Sequence, residues 1–316
     1  MDALSDVLKS VRLEGAVFLD AEFAAPWCLA GRFGLARARR RLPAAGHVVF
    51  FHFLLEGHCR VRLADDTQVI EVAAGDVVLF PRDDRHLMGS DLRLTPIDTE
   101  AAAARDDPEF NRIRMGGTGA RTRFVCSYLA CSRGISRLLF EPLPRLLRIP
   151  VGDSAAAVPI RELLRLGVQE TAAERPGGAS MLARLAELLF VEALRRHVAS
   201  QPPQGQGWLA AAGDAQVGRA LTLLHREPAR AWNVASLARA VALSRSALAE
   251  RFTALVGEPP MRYLTRWRLA LAATELRGTP HSIKAIARGA GYESSAAFHR
   301  AFAREYAMTP AAWRRG

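Results

Sequence analysis

The apolar positions of this chain change their period twice, and each change marks an element boundary. From Ala16 to about Cys131 the pattern is one of short apolar runs between turn residues, the signature of strands. His47 to Glu56 is one long run ending at Gly57; Cys59 to Leu63 alternates, Ala64 to Thr67 turn, and Gln68 to Val72 return. Gly75 turns the chain into Val77–Phe80, which Pro81 to His86 close, and Phe124 to Leu129 form a further apolar strand. Many short antiparallel strands in so small a span predict a sandwich or small barrel. Leu4, Val7, Leu8 and Val11 fall at helical spacing within residues 1–20, predicting an amphipathic start. The polar stretch from Leu94 to Arg123, with Pro108, Gly116, Gly117 and Gly119, reads as a long surface loop over the barrel, either a plain excursion or a lid.

Beyond Pro150 the period becomes helical. Ile160, Leu163, Leu164 and Val168 share a face; a second helix from Ser180, its expected cap, to Ala199 is apolar over more than one face. Such a helix needs cover on two sides, either from its own subunit or from the barrel and a second copy of the chain. Pro, Gln and Gly crowd residues 200–207, a composition that makes a flexible linker. The expected organisation is therefore a barrel at 1–150, a helical hairpin at 151–199 with a dimerisation role open to it, a linker at 200–213 and an all-helical region at 214–316.

That last region repeats itself. Leu237, Ala238 and Arg239 match Ile286, Ala287 and Arg288; Leu248 and Phe252 match Phe298 and Phe302; Gly257 to Pro260 match Ala307 to Pro310. Each copy reads as two short helices joined by a turn. Asn233, Ser244 and Ser282 stand where helix caps belong, with Glu293 to Ser295 opening the last long helix but one. Gly257 fits a left-handed cap, and Pro260 opens a connecting helix of ~17 residues, or ~25 Å.

Charge follows the repeat. The net charge is +11, and 16 of the 43 basic but only 7 of the 32 acidic residues lie between Asp214 and Gly316, so that segment carries +9 of it. A surface that meets phosphates looks like this. The face left exposed once the apolar pairs are buried comprises Ser244, Arg245, Ser246, Ala249 and Glu250 in the first copy. In the second it comprises Glu293, Ser294, Ser295, Ala297, His299 and Arg300. Residues at the start of a recognition helix reach base edges in the major groove. Arg245 is the strongest candidate base reader, because arginine pairs bidentately with guanine. Arg251, Arg300, Arg304 and Lys284 are placed at phosphates, which supply affinity without sequence. Double-stranded DNA, read in two adjacent major grooves, is the expected partner.

The four cysteines, Cys28, Cys59, Cys126 and Cys131, contain no Cys-x-x-Cys pair and need no disulfide framework. No run of 18 apolar residues is present and the first residues are acidic, so the expected place is the cytoplasm, with no membrane partner. His52, mid-strand among aromatic residues, His86 and Cys126 converge if the barrel closes, and Cys59 just past the Gly57 turn is a fourth candidate. Imidazole and thiolate suit zinc or copper, or thiol redox sensing. The same groups also make a hydrogen-bonded core, or line a pocket for an organic molecule.

Two resemblances sharpen this. Residues 214–316, through the double unit, Pro260 to Tyr263, Gly291 to Phe298 and Met308 to Arg314, resemble the AraC/XylS-type transcription regulators. Leu55 to Gly57, Gly75 to Pro81 and His86 resemble the cupin barrel of bacterial sensor domains. The mid-strand His, second-motif His and later Cys resemble a cupin-bearing subgroup that includes reactive-chlorine sensors. The resemblances imply an α+β multidomain chain: a cupin-like β-barrel with a helical hairpin, then two helix-turn-helix units. They imply a non-enzymatic regulator, usually a homodimer, with RNA polymerase as a partner if it activates and an unidentified effector in the barrel. A dioxygenase-like metal enzyme fused to a DNA reader is the alternative. The cupin enzymes' His-x-His is missing here, since His47 and His52 fall on opposite faces of one strand. A suicide alkyl acceptor is further off, because it needs a four-thiolate cluster.

Overall fold

The computed structural model describes residues 4–5, 19–41, 45–99, 111–131, 136, 140–141, 143–150, 158–173, 176–200 and 207–315. Most of the amphipathic start expected over residues 1–20 lies outside these. The chain divides into two units, one formed by residues 13–131 with 144–197, the other chiefly by residues 198–315.

The first unit contains β1 (Leu19–Ala24), β2 (Cys28–Gly31), α1 (Leu35–Arg41), β3 (His47–Glu56), β4 (His58–Leu63), β5 (Ile70–Ala73) and β6 (Asp76–Phe80). It continues with β7 (His86–Gly89), β8 (Ile97–Asp98), β9 (Asn111–Gly116), β10 (Arg121–Cys131) and β11 (Leu147–Pro150). The helices α2 (Val158–Ala173) and α3 (Gly178–Ser200) follow. Two sheets result, ordered β11-β6-β3-β10-β1-β9 and β5-β4-β7-β2-β8. The expected loop between Leu94 and Arg123 is a loop only in part. Its described portions supply β8 and β9, which add as parallel edge strands to β2 and β1. Period-2 alternation is weak in Asn111–Gly116, where Ile113 is half-buried but Arg114, Met115 and Gly116 are exposed, and polar residues concealed the strand.

β3 is largely apolar, interrupted by His52, because both of its faces are used. Phe50, His52 and Leu54 point into the core between the sheets, while Phe51, on the other face, meets Phe190 of α3 at a centroid distance of 6.5 Å. Gly57 makes the tight turn into β4 with φ +78°, and a Cβ there would stand 2.2 Å from the Arg121 carbonyl oxygen. On α3, Leu182, Leu185, Ala186, Leu189, Phe190, Ala193 and Leu194 are buried along one stripe. Its cover comes largely from within the chain, and Met181 and Leu188 are left 45% and 52% exposed. The helix starts at Gly178, so Ser180 lies inside it rather than capping it.

The second unit comprises α4 (Trp208–Gly213), α5 (Ala215–Arg226), α6 (Val234–Ala240), α7 (Arg245–Val256), α8 (Pro260–Gly278), α9 (Ile283–Gly289), α10 (Ser295–Tyr306) and α11 (Pro310–Arg315). The linker expected at 200–213 therefore stops short, because residues 208–213 are helical. Burial decides this: Trp208 is 3% exposed, and its indole N–H donates to the Tyr263 hydroxyl at 2.9 Å. Gly207 N–H also donates to the Leu255 carbonyl at 2.8 Å, so the chain is fastened to the end of α7 before α5 begins.

The caps fall where the sequence placed them. Asn233 and Ser236 form a reciprocal capping box; Ser244, Ser282 and Ser294 accept from backbone N–H groups of α7, α9 and α10. The left-handed positions are distributed unequally between the copies. The first copy turns at Ala242 (φ +58°) and ends α7 at Gly257 (φ +87°); the second turns at Gly291 (φ +79°) and ends α10 at Ala307 (φ +55°). Gly291 is also required for space. A Cβ would come within 3.0 Å of the Arg268 guanidinium, which donates to the carbonyls of Pro228 and Arg230 at 2.6 and 2.8 Å.

A non-glycine residue in the left-handed region costs about 1–2 kcal/mol, offset in part by the flexibility glycine adds to the unfolded chain. Ala242→Gly should therefore stabilise the second unit by up to about 1 kcal/mol, and Gly291→Ala should destabilise it by more than that. Four of the five tryptophans, Trp208, Trp232, Trp267 and Trp313, lie in this unit. Denaturant unfolding followed by tryptophan fluorescence checks both signs.

Candidate functional site

The core between the two sheets holds the first site. His52 sits mid-β3 directly across from Cys126 of β10, and His86 opens β7 in the facing sheet, opposite Leu63 and Gly31. The closure that the sequence required does occur. His52 Nδ1 lies 2.9 Å from Cys126 Sγ, His52 Nε2 lies 3.0 Å from His86 Nε2, and His86 Nδ1 lies 3.0 Å from the Asp84 carbonyl oxygen.

The proton positions follow from chemistry. A carbonyl oxygen only accepts, so His86 carries its proton on Nδ1 and, when neutral, offers a lone pair at Nε2. His52 must then donate from Nε2, which leaves its Nδ1 to accept from the Cys126 thiol. Both rings are neutral for a physical reason. Burial pushes His86 down to about 4, and burial together with the neighbouring His86 holds His52 well below the ordinary imidazole range. Phe80 stacks on His86 at 3.7 Å, and Phe50, Phe80 and Phe124 turn edges or tilted faces to the pair. Burial also holds the Cys126 thiol well above its ordinary value, so it is a thiol, not a thiolate.

This geometry does not fit a metal. Cys126 and His86 lie on opposite ring nitrogens of His52, so the three groups run in series and no one ion reaches them all. Among the described residues no cluster of three His, Cys, Asp or Glu side chains is arranged as a metal site. Cys59 does not join the set. It is 1% exposed in the apolar core on β4, opposite Val72, and burial, with Glu71 and Asp76 nearby, pushes its thiol up to about 12.

Beside the three side chains lies a cavity of about 140 Å³, walled by Ala21, Phe23, Leu29, Phe33, Phe50, Met88, Ile113 and Phe124. Ile97 and Met115, 41% and 42% exposed, mark where it meets solvent, along with Arg32 and Arg37. The walls from β1, β2, β8 and β9 were not anticipated from the sequence. The available signal was the period-2 company of each polar core residue, Phe50 before His52 and Phe124 before Cys126.

The second site is the exposed surface of the two helix-turn-helix units. α8 carries both: Tyr263, Leu264, Trp267 and Ala270 are buried along it, as are Leu269, Ala272, Ala273 and Leu276. The last four belong to the core that holds Phe298, Phe302 and Trp313. Leu237, Ala238, Leu248 and Phe252 of the first unit are fully buried, as are Ile286 and Ala287 of the second. What remains outside is the expected face. Arg245, Ser246 and Glu250 are exposed, with Ala249 half-buried; Lys284, Glu293, Ser295, Arg300 and Arg304 are exposed, with Ala297 and His299 half-buried. Ser244 and Ser294 are exposed too, but their hydroxyls accept from Ala247 and Ala297 N–H. Arg251, expected at a phosphate, is engaged by Asp214, the cap of α5, at 2.6 and 3.1 Å.

Residues 2–199 match the family model described as Cupin, and residues 237–316 match the one described as Helix-turn-helix domain. An AraC-like transcription regulator of Streptomyces antibioticus is 35% identical over 86% of this chain and 88% of its own length. One of Streptomyces lividans is 34% identical over 100% and 98%. The RCS-specific HTH-type transcriptional activator RclR of Escherichia coli is 26% identical over 99% and 97%.

The hydrogen-bond chain makes a direct expectation. In protein labelled with ¹⁵N-histidine, His52 should give the Nε2–H tautomer and His86 the Nδ1–H tautomer, both staying neutral well below the ordinary imidazole value. Because both folded pKa values are depressed, the stability these rings lend is complete above their unfolded value, about 6.5, and is lost as pH falls below it, for His86 towards about 4. A midpoint near 6.5 for either ring in the folded protein would contradict the wiring.

Proposed function

Because the chain belongs to the AraC-like transcription regulators with an N-terminal Cupin domain, and so is a DNA-binding transcription regulator, we propose that the occupant of the barrel cavity sets its affinity for DNA. The observation that carries this is the cavity itself: a space of about 140 Å³ inside the first unit, reaching solvent at Ile97 and Met115. An empty apolar space of that size forgoes contacts that a bound molecule restores. Thiol oxidation is the weaker reading, because the reactive species is the thiolate and Cys126 is held as a buried thiol. The histidines and cysteine in series likewise favour a binding pocket over zinc or copper.

On DNA, the first turn of α7 reads bases through Arg245 and Ser246, and α10 adds a second reader at Glu293, Ser295 and Ala297. Ala249, Glu250 and His299 line the same grooves. Lys284, Arg300 and Arg304 meet phosphates, and Ser244 and Ser294 orient the helices that carry the readers. α8 has 19 residues and so spans about 28 Å, which suits two successive major grooves on one face of the duplex. The regulator works as a homodimer in the cytoplasm, with Met181 and Leu188 of α3, seven residues apart, at the subunit contact. The activator named among its relatives supports activation, with RNA polymerase as the further partner.

Operators selected from a random-sequence library provide the test. Arg245→Ala should cost about 1–3 kcal/mol and relax preference at one base pair; uniform weakening over all sequences would move Arg245 to a phosphate role. In sedimentation velocity the full chain should be a dimer and Leu188→Arg should shift it to monomer; a wild-type monomer on DNA-free runs at micromolar concentration would remove the dimer contact.

A further inference from the structure

Resting on the reading of the cavity as the regulatory pocket, we propose that its ligand is an uncharged, compact apolar molecule of about six to ten non-hydrogen atoms, the size of a simple monocyclic aromatic. Three observations lead there.

The first is size. At about 140 Å³ the space compares with an engineered apolar cavity of roughly 150 Å³ that stays dry and admits benzene. A long chain or a nucleotide does not fit within it.

The second is the composition of the walls. Phe23, Phe33, Phe50 and Phe124 present aromatic surface, and Leu29, Met88 and Ile113 complete an apolar enclosure. The sulfur of Met88 adapts to an aromatic edge.

The third is the absence of an offered donor among the described polar groups at the inner end. All four imidazole nitrogens of His52 and His86 are engaged, with Cys126, each other and the Asp84 carbonyl. The Thr99 hydroxyl donates to the Ala30 carbonyl at 3.3 Å. A polar or ionised ligand group pushed inside would leave water and find no counterpart, which is costly. Among the described lining residues the charged side chains are Arg32, which is exposed, and Arg37, which is half-buried. The Arg37 guanidinium sits 4.8 Å over the Phe33 ring, so it is stacked on an aromatic face. The histidines thus serve the pocket by being saturated: they hold the two sheets together across its inner end without offering a charge to the ligand.

Toluene and benzoate are the probes, titrated into the full-length protein carrying ¹³C-methyl methionine. The chain has six methionines, Met1, Met88, Met115, Met181, Met261 and Met308, and among the described ones Met88 and Met115 line the cavity. Toluene should shift those two methyl signals saturably and leave the other four in place, and benzoate should bind at least about 10-fold more weakly, its ionised group having no counterpart inside. Ile113→Phe, which fills the space, should weaken toluene at least about 10-fold; the methyl map needs no variant and stands if that one does not fold. Benzoate binding as tightly as toluene would assign the pocket to anionic ligands and overturn the proposal. So would toluene shifting neither Met88 nor Met115 up to its solubility limit. Affinity for a selected operator is measured in the same samples. Shifted methyls with unchanged DNA affinity support the ligand class and overturn only the regulatory reading on which it rests.

Discussion

Both DNA-reading units are built on one rod, and their geometry depends on the rod staying straight. α8 buries aromatic and apolar residues near its start and apolar residues nearer its end, so a bend in it would open one core or the other. Pro260 stands at its first position, where a missing N–H costs nothing. At the far end Trp313 N–H donates to the Ala273 carbonyl and Arg314 to that of Leu276, satisfying carbonyls near the last turn and placing positive charge at the negative end of the helix dipole. Arg268 ties the middle of the rod to the loop ahead of the first unit, in space that Gly291 of the second unit leaves open. Glu258 does similar work: it pairs with Arg266, which in turn reaches Glu305 on α10. The distance between the two reading helices is thus fixed by side chains that touch both copies.

The barrel solves a different problem, that of keeping polar groups inside an apolar core. Two imidazoles and a thiol are tolerated there because each gives up its proton-exchange chemistry. Neutrality avoids the large cost of burying charge, and the serial hydrogen bonds leave no ring nitrogen unpaired. Outside the cavity, on the opposite face of the same sheet, Asp20 and Arg123 form a two-bond ion pair at 2.8 and 2.9 Å. β1 and β10 are therefore tied by charge on one face and by apolar packing on the other.

Local rules made the second unit legible. Its caps, its repeat and its charge were all visible, because each depends on residues within a few positions of one another. Trp208 escaped that reading: its N–H bond to Tyr263 spans 55 residues, and a Pro- and Gly-rich approach disguised it. In the first unit His52, His86 and Cys126 could be nominated as a set, but Cys59 could not be excluded. The difference between a cross-strand neighbour and a residue on the facing sheet is one of register, which alternation alone does not fix. The parallel edge strands β8 and β9, and with them Ile97, Ile113 and Met115 of the cavity wall, were hidden for the same reason.

The unequal distribution of glycine and alanine between the two copies has a mechanical consequence. In the first, the strained alanine sits two residues ahead of the Ser244 cap, beside the end of α7 that carries Arg245; in the second, the strained residue lies beyond the far end of α10. A small readjustment of the backbone on meeting a duplex can relieve strain at the reading end only in the first copy. The two readers thus differ in stiffness where it matters for docking: α7 is the one with something to gain by adapting, and α10 is the one that meets its groove already relaxed.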